Sequence, residues 1–307
     1  MRVMVRNPNS GDREKSKRAK AIAERKGIEV WESTKRGETL TLAREAGEAG
    51  AELVYSCGGD GTLNEVGRGL DEADALPATD IAVVPAGTGN NFADNIGIKG
   101  IDHAFRIVNE TAPRRLDLGT VKDNGHRVFI NSCVGGLTAE SSAKTTPAMK
   151  KRLGVMAYVL QTLAETRRFD GLKLDVRAGE KGERVWTGEA IMLLVGNGRR
   201  FPGERMKQAN MEDGLMNVVI IEQRPALDYL SRGAADKLLR RGASHLTRVK
   251  VPRLDVTHDG EPVTFSLDGE LVERNTLTAR SRKGAMSVYV GERYDPEPEE
   301  WGKSKAP

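Results

Sequence analysis

The sequence is short of most features that mark a specialised chain. Its 307 residues include two cysteines, Cys57 and Cys133, and four histidines. Two cysteines form neither a disulfide framework nor a metal pattern. Both lie in apolar or glycine-rich runs, where a small buried residue is the simplest reading. Low cysteine usage suits a reducing cytoplasm. His103, His126, His245 and His258 are scattered, and no pair has metal-ligand spacing. No run approaches the roughly 18 apolar residues of a membrane-spanning helix. Met1-Arg2-Val3-Met4-Val5-Arg6-Asn7 reads as a short strand rather than a signal peptide. A net charge of +4, from 48 basic and 44 acidic residues, is too small to indicate nucleic acid. It is compatible with an anionic substrate or membrane surface. Aromatics are 5% of the chain and charged residues 30%, a soluble, globular balance. Two phosphate-binding signatures are also missing, G-x-x-x-x-G-K-[ST] and G-x-G-x-x-G.

What the chain does have is glycine, 34 residues of it, placed with a pattern. Cys57-Gly58-Gly59-Asp60-Gly61-Thr62-Leu63-Asn64-Glu65 follows a short apolar run and precedes a helical stretch. Without Cβ atoms, such a backbone can approach a ligand closely and aim its N–H groups at anionic oxygens. Asp60 beside the phosphates suits a Mg²⁺ ion.

The first ~115 residues alternate apolar runs (Val3–Arg6, Ile28–Trp31, Leu53–Ser56, Ile81–Val84) with helical patterns (Arg13–Lys26, Thr39–Ala49, Leu63–Leu70). This rhythm predicts an open, mostly parallel sheet covered by helices, with ligands outside the carboxyl ends of the strands. Four loops fall at those ends: Asn7–Gly11, Ser33–Gly37, Gly58–Thr62 and Pro85–Asn91. Gly and Asn are ordinary turn formers, but four such loops on the ligand edge point to a phosphate site. From Asp117 onward, short β-rich runs take over. Hairpins are expected around Asp123-Asn124-Gly125, Gly179–Gly182 and Asp259-Gly260-Glu261, with strands at Met216–Ile221 and Val263–Leu267. Helical stretches are expected near Leu153–Phe169 and Ala226–Arg241, and a loose tail over Asp295–Pro307. The second half reads as an antiparallel β-sandwich.

Asn7-Pro8-Asn9-Ser10-Gly11, Gly58-Gly59-Asp60-Gly61-Thr62 and Pro85-Ala86-Gly87-Thr88-Gly89-Asn90 together resemble the nucleotide-binding domain of diacylglycerol kinase-type lipid kinases. The likeness continues in order through Asp117-Leu118-Gly119, Phe129–Gly136, Val195-Gly196-Asn197-Gly198, Asp213-Gly214-Leu215 and Asp268-Gly269-Glu270. Gly-Gly-Asp-Gly-Thr alone is shared with NAD kinases and phosphofructokinases, whereas the ordered set is far more specific. The resemblance implies an ATP- and Mg²⁺-dependent kinase of a lipid hydroxyl, with diacylglycerol as the default acceptor. It implies an α/β nucleotide domain (1–116), a β-sandwich lipid domain (117–285) and a C-terminal return to the first domain (286–307), with the active site in the cleft between the domains. It also implies a cytoplasmic protein at the inner membrane face, a lipid partner, no nucleic acid, and a homodimer as an open alternative.

Carried over residue by residue, the resemblance places Asn7, Pro8, Asn9, Ser10, Gly11, Thr34, Gly58, Gly59, Asp60, Gly61, Thr62, Leu63, Asn64 and Thr88 at ATP. It puts Asp60 and Asp117 in the acidic network that orders catalytic Mg²⁺. Asp213, with the carbonyls of Asn210 and Leu215, would hold a second, structural Mg²⁺. Asp268 and Glu270 would act on the acceptor, Glu270 as the base. Asp259-Gly260-Glu261 has the same three letters, but Ser266-Leu267 before Asp268 fits the family pattern and His258 does not. Besides a shortened stretch before Asp213 (Met206-Lys207-Gln208-Ala209) that lacks the family's usual Pro, two departures stand out: Asp12 where the family often has Lys, and Asn91 where many members have Asp. They keep open the alternative of an inactive nucleotide-binding regulator; a kinase of another hydroxyl on the same fold (sphingoid base, other lipid alcohol or NAD) is a separate alternative. A basic lead-in, Lys144 and Lys150–Arg152 before Leu153–Leu160, reads either as a membrane-touching segment or as the charged start of a buried helix. Lys237, Arg240 and Arg241 form a second basic cluster, most simply an exposed face.

Overall fold

The structure is a computed structural model. It describes residues 1–8, 11–122, 127–136, 171–198, 208–223 and 246–298. The helical readings at Leu153–Phe169 and Ala226–Arg241, both basic clusters, the Asp123-Asn124-Gly125 turn, and Asn9 and Ser10 lie outside the described residues, as does the tail beyond Pro298. The chain forms two compact units. The first comprises Met1–Asn131, Asn210–Gly214 and Arg282–Pro298; the second lies within Ser132–Ala209 and Leu215–Ser281.

The first unit alternates strands and helices: β1 (Arg2–Arg6), α1 (Arg13–Arg25), β2 (Glu29–Glu32), α2 (Glu38–Glu48), β3 (Leu53–Gly58), α3 (Asp60–Glu72) and β4 (Asp80–Pro85). Then follow α4 (Asn91–Asn95), α5 (Ile101–Glu110), β5 (Arg114–Val121) and β6 (Arg127–Phe129). β1 lies between β2 and β3, pairing parallel with both: Met4 is opposite Val30 on one side and Tyr55 on the other. β4 pairs parallel with β3. The C-terminal end of β15 (Thr276–Val288) adds parallel to β4 through Ser287 and Val288. Val3, Met4, Val5, Val54, Tyr55, Ile81 and Ala82 are almost fully buried, as continuous apolar strands covered on both faces must be. The helices supply the cover at helical spacing, Ala19, Ile22 and Ala23 from α1 and Ala104, Ile107 and Val108 from α5. α4 and α5 are additions to the sequence reading. The chain passes from β1 to β2 and then returns across β1 to β3. The reversal point is therefore at the carboxyl ends of β1 and β3, where open α/β sheets bind ligands.

The second unit is antiparallel, as its alternation predicted. β7 (Ser132–Gly136), β8 (Leu172–Ala178), β9 (Glu183–Gly196), β10 (Met216–Glu222), β11 (Leu246–Val251), β12 (Arg253–His258), β13 (Val263–Leu267) and β14 (Glu270–Arg274) build it. The N-terminal end of β15 joins them by pairing with β12. The hairpin around Gly179–Gly182 forms between β8 and β9, with positive φ at both glycines. β9 is long enough to pair with β8 at one end and with β7 and β10 at the other. The expected hairpin at Asp259-Gly260-Glu261 does not form. β12 pairs with β8 and β15, and β13 with β7 and β14, so that turn joins strands that are not neighbours. An Asp-Gly dipeptide supplies a turn; the burial of the flanking strands decides what they pair with. The tight hairpin comes one turn later, at Asp268-Gly269.

Two helices of the first unit approach through a glycine. A Cβ on Gly69 of α3 would sit 2.4 Å from the Leu40 carbonyl oxygen and 2.8 Å from Ala43 Cβ on α2. Gly69→Ala is therefore expected to cost about 1–3 kcal/mol, overriding the ~1 kcal/mol gain in helix propensity. Gly61→Ala meets nothing within 4 Å and should leave stability unchanged or slightly raised. Urea unfolding of the two variants checks the contrast.

Candidate functional site

At the carboxyl ends of β1, β3 and β4, three loops meet at backbone distance. A Cβ on Gly11 would lie 2.4 Å from Gly87 Cα, and one on Gly87 would lie 2.3 Å from Gly59 Cα. Gly11 also has φ +71°. Hydrogen bonds lock the contact: Asp12 N–H donates to the Ala86 carbonyl (3.0 Å), and Ala86 and Gly87 N–H both donate to the Gly58 carbonyl (2.9 and 3.0 Å). Asn90 staples its own turn, donating from Nδ2 to the Gly87 carbonyl and accepting from Gly87 N–H at Oδ1. The Asn7 N–H donates to the Cys57 carbonyl, tying the loop after β1 to the end of β3.

Asp60 is the first residue of α3, and its carboxylate faces the other loop. It accepts from Asn91 N–H (3.0 Å), Asn91 Nδ2 (3.1 Å) and Phe92 N–H (3.0 Å). Thr62 is buried beneath Gly58, where any Cβ would overlap its hydroxyl. Leu63 is in the core, so it can meet a ligand only through its backbone. Asn64 is buried and donates to the Val128 carbonyl of β6. Thr88 is exposed at the loop tip. Thr34 is exposed after β2, and its hydroxyl donates to Glu38 (2.8 Å).

The two helices that open toward these loops differ at their N-termini. Asp12 caps α1, its carboxylate accepting from Glu14 and Lys15 N–H, and these bonds hold its pKa below the usual carboxylate range. α3 starts at Gly59 with no side-chain cap. The first turn of α1 is thus capped by its own chain, while α3 has no side-chain cap and carries in its first turn Asp60, whose carboxylate turns to Asn91 and Phe92.

Asp117, in β5, is almost fully buried. It accepts from Gly214 N–H (2.6 Å) and Gly284 N–H (2.8 Å), and its own N–H donates to the Met211 carbonyl (2.6 Å). Burial, with the like charge of Asp213 adding to it, pushes its carboxyl up to about 6. The two carboxylates expected to share one network therefore face different partners. Asn210 Oδ1 accepts from Glu212 N–H, and Leu215 is half-buried.

In the second unit, Asp268 and Gly269 make a two-residue hairpin loop, with φ +49° and +103°, between Leu267 and Glu270. Asp268 Oδ1 accepts from Ser132 N–H (2.8 Å), and its own N–H donates to the Ser132 carbonyl (2.9 Å). Glu270 opens β14 and is exposed.

Two family models match. Residues 2–121 fit the diacylglycerol kinase catalytic domain, and residues 132–290 fit the YegS C-terminal NAD kinase beta sandwich-like domain. The chain belongs to the YegS-like lipid kinase family. It is a phosphotransferase with an alcohol group as acceptor, built as an α/β domain followed by a β-sandwich-like domain. Its relatives include "Probable lipid kinase YegS-like" proteins. One from Stenotrophomonas maltophilia is 29% identical over 85% of either chain. One from Pseudomonas fluorescens is 32% identical over 86% of this chain and 84% of its own length. In fold it is similar to a diacylglycerol kinase of Bacillus anthracis, with TM-score 0.68, 16% identity, and 94% and 96% of the two chains covered.

Against this lipid kinase background, the donor sets for Mg²⁺ divide. Around Asp60 three N–H groups fill most of the acceptor positions of the carboxylate, which leaves it poorly placed for direct ligation of a metal. Asp213 lies near enough to the buried Asp117 for their like charges to interact, and among the described residues no cluster of three or more His, Cys, Asp or Glu side chains forms that could hold a metal ion. The sequence reading missed Asn91 and Phe92 as partners of Asp60, and Gly214 and Gly284 as partners of Asp117. These are mostly backbone donors, which leave no mark in a sequence.

Gly87→Ala places a methyl against the Gly59 backbone and should destabilise by about 1–3 kcal/mol, seen as a lower melting temperature. Asp117→Asn turns an amide NH₂ toward a backbone N–H and should cost about 1–3 kcal/mol. Because burial raises the Asp117 pKa above its unfolded value, its contribution to stability is full below about pH 4. It is lost as pH rises through about 6, by about 3 kcal/mol at most. That part of the slope should be absent from the pH–stability curve of the Asp117→Asn variant.

Proposed function

We propose that this lipid kinase transfers the γ-phosphoryl group of ATP to diacylglycerol, giving phosphatidic acid, as a cytoplasmic protein at the inner membrane surface. The observation that carries the nucleotide half is the junction of Gly11, Gly59 and Gly87 beside the uncapped start of α3. Main chain bare of Cβ atoms meets an uncapped helix N-terminus there, an arrangement suited to phosphates. The capped α1 leaves α3 as the phosphate-facing helix. Asn7, Pro8, Gly11, Gly58–Thr62 and Thr88 are the candidate lining, with Thr34 toward the nucleoside. Leu63 and Asn64 act from beneath, as core and anchor. The acceptor is supported by the family model's description and by the solved diacylglycerol kinase that shares the fold. Among the described residues no helix is long and apolar enough to cross a membrane, so the lipid is taken to be met peripherally.

Glu270 is the candidate base. An aliphatic alcohol is a weak acid, and a placed carboxylate assists by taking its proton as the oxygen attacks phosphorus. The new O–P bond forms as the bond to the β-phosphate oxygen breaks. Asp268 is tied to Ser132 and holds the turn that sets Glu270. Mg²⁺, when bound with ATP, supplies charge neutralisation on the phosphates. Asp213 with the Asn210 and Leu215 carbonyls would hold a structural ion.

The test is transfer from labelled ATP with Mg²⁺ to diacylglycerol, sphingosine and NAD in parallel, the lipids in mixed micelles. Label in phosphatidic acid is expected; label in another product alone replaces the acceptor, and none in any lipid overturns the proposal. Glu270→Gln should lower kcat by roughly 100-fold or more with ATP binding nearly intact, and near-normal turnover would remove Glu270 as the base.

A further inference from the structure

The Asp60–Asn91 contact has a chemistry of its own. A carboxylate offers about four acceptor positions, and three on Asp60 are filled by N–H groups of the neighbouring loop, at 3.0 to 3.1 Å. Two come from the backbone at the start of α4 and one from the Asn91 side chain. Asp60 N–H in turn leans on the Gly89 carbonyl at 3.4 Å. One residue therefore grips the Pro85–Asn91 loop from both its backbone and its side chain, across the same line at which Gly59 and Gly87 touch. The Asn91 amide is the deciding element. An aspartate there would set a second carboxylate about 3 Å from the first, and the pair would need a cation or a proton between them.

We propose that Asn91 makes Asp60 a clamp between loops instead of a metal-facing carboxylate, so that the phosphate-facing backbone of this chain is set without a divalent cation. Asp60 and Asn91 are then positioning residues. The clamp itself is independent of the kinase reading, while its use in holding phosphates rests on that reading. Its charge-assisted hydrogen bonds are of the stronger kind, and they replace a metal by a side-chain amide. The loop is pre-organised before nucleotide arrives, which lowers the ordering cost of binding.

Hydrogen exchange of residues 86–95 in the nucleotide-free full chain, in EDTA and in Mg²⁺, tests this. The wild type should be equally protected in both. Asn91→Asp should exchange roughly tenfold faster in EDTA and recover on adding Mg²⁺. Asn91→Ala should exchange faster in both, because it loses the amide without gaining a metal-demanding charge. That difference in Mg²⁺ response is one that a purely structural role would not produce. Protection of the wild-type segment that appears only with Mg²⁺ overturns the proposal, as does Asn91→Asp exchanging like wild type in EDTA. ATP binding measured on the same samples separates the two readings. The expected exchange pattern without ATP binding supports the clamp and counts against the nucleotide site. ATP binding without the exchange pattern does the reverse.

Discussion

Three glycines from three loops touch at the level of the main chain, and most of what the first unit presents follows from that contact. Gly11, Gly59 and Gly87 can approach so closely because none carries a Cβ. The approach brings the Ala86 and Gly87 N–H groups onto the Gly58 carbonyl and the Asp60 carboxylate onto the start of α4. A methyl at any of the three would push two loops apart, and the loops carry the Asp60 contacts with them. The parallel strands beneath set where each loop begins, but glycine sets how near the loops come. Conformational freedom matters only at Gly11; at Gly59 and Gly87 the requirement is space.

Much of this was legible in the sequence, for physical reasons. Short apolar runs such as Leu53–Ser56, alternating with helix-length stretches, fit strands buried on both faces and joined by helical crossovers. The ligand edge then follows from topology. What the residues did not disclose was mostly backbone. Asp117 could be named, but not that Gly214 and Gly284 would satisfy it. The turn at Asp259-Gly260-Glu261 has the local chemistry of a hairpin. The partners of β12 and β13 were decided by burial across distant strands, which no dipeptide encodes. Asp268-Gly269 has the same local signal, and there the pairing agrees with it.

The residues that depart from the family pattern gain meaning from their contacts. Asp12, where the family often has a basic residue, caps α1, and in the proposed nucleotide site this leaves the anion-facing role to α3. Asn91 has lost a charge, yet it supplies an amide where a carboxylate would need a counter-ion. Both residues make their contacts within the chain. The same loops can thus hold their geometry with fewer borrowed charges.

β15 belongs to two bodies at once. Its first residues close the antiparallel unit and its last two lie beside β4, after a chain that has already left the first unit and come back to it at Asn210–Gly214. The α/β portion is therefore not a cassette that can be lifted from the gene as one contiguous stretch. A fragment ending near Asn131 would bare the flank of β4 as an unpaired, largely apolar strand edge, the kind that recruits other chains.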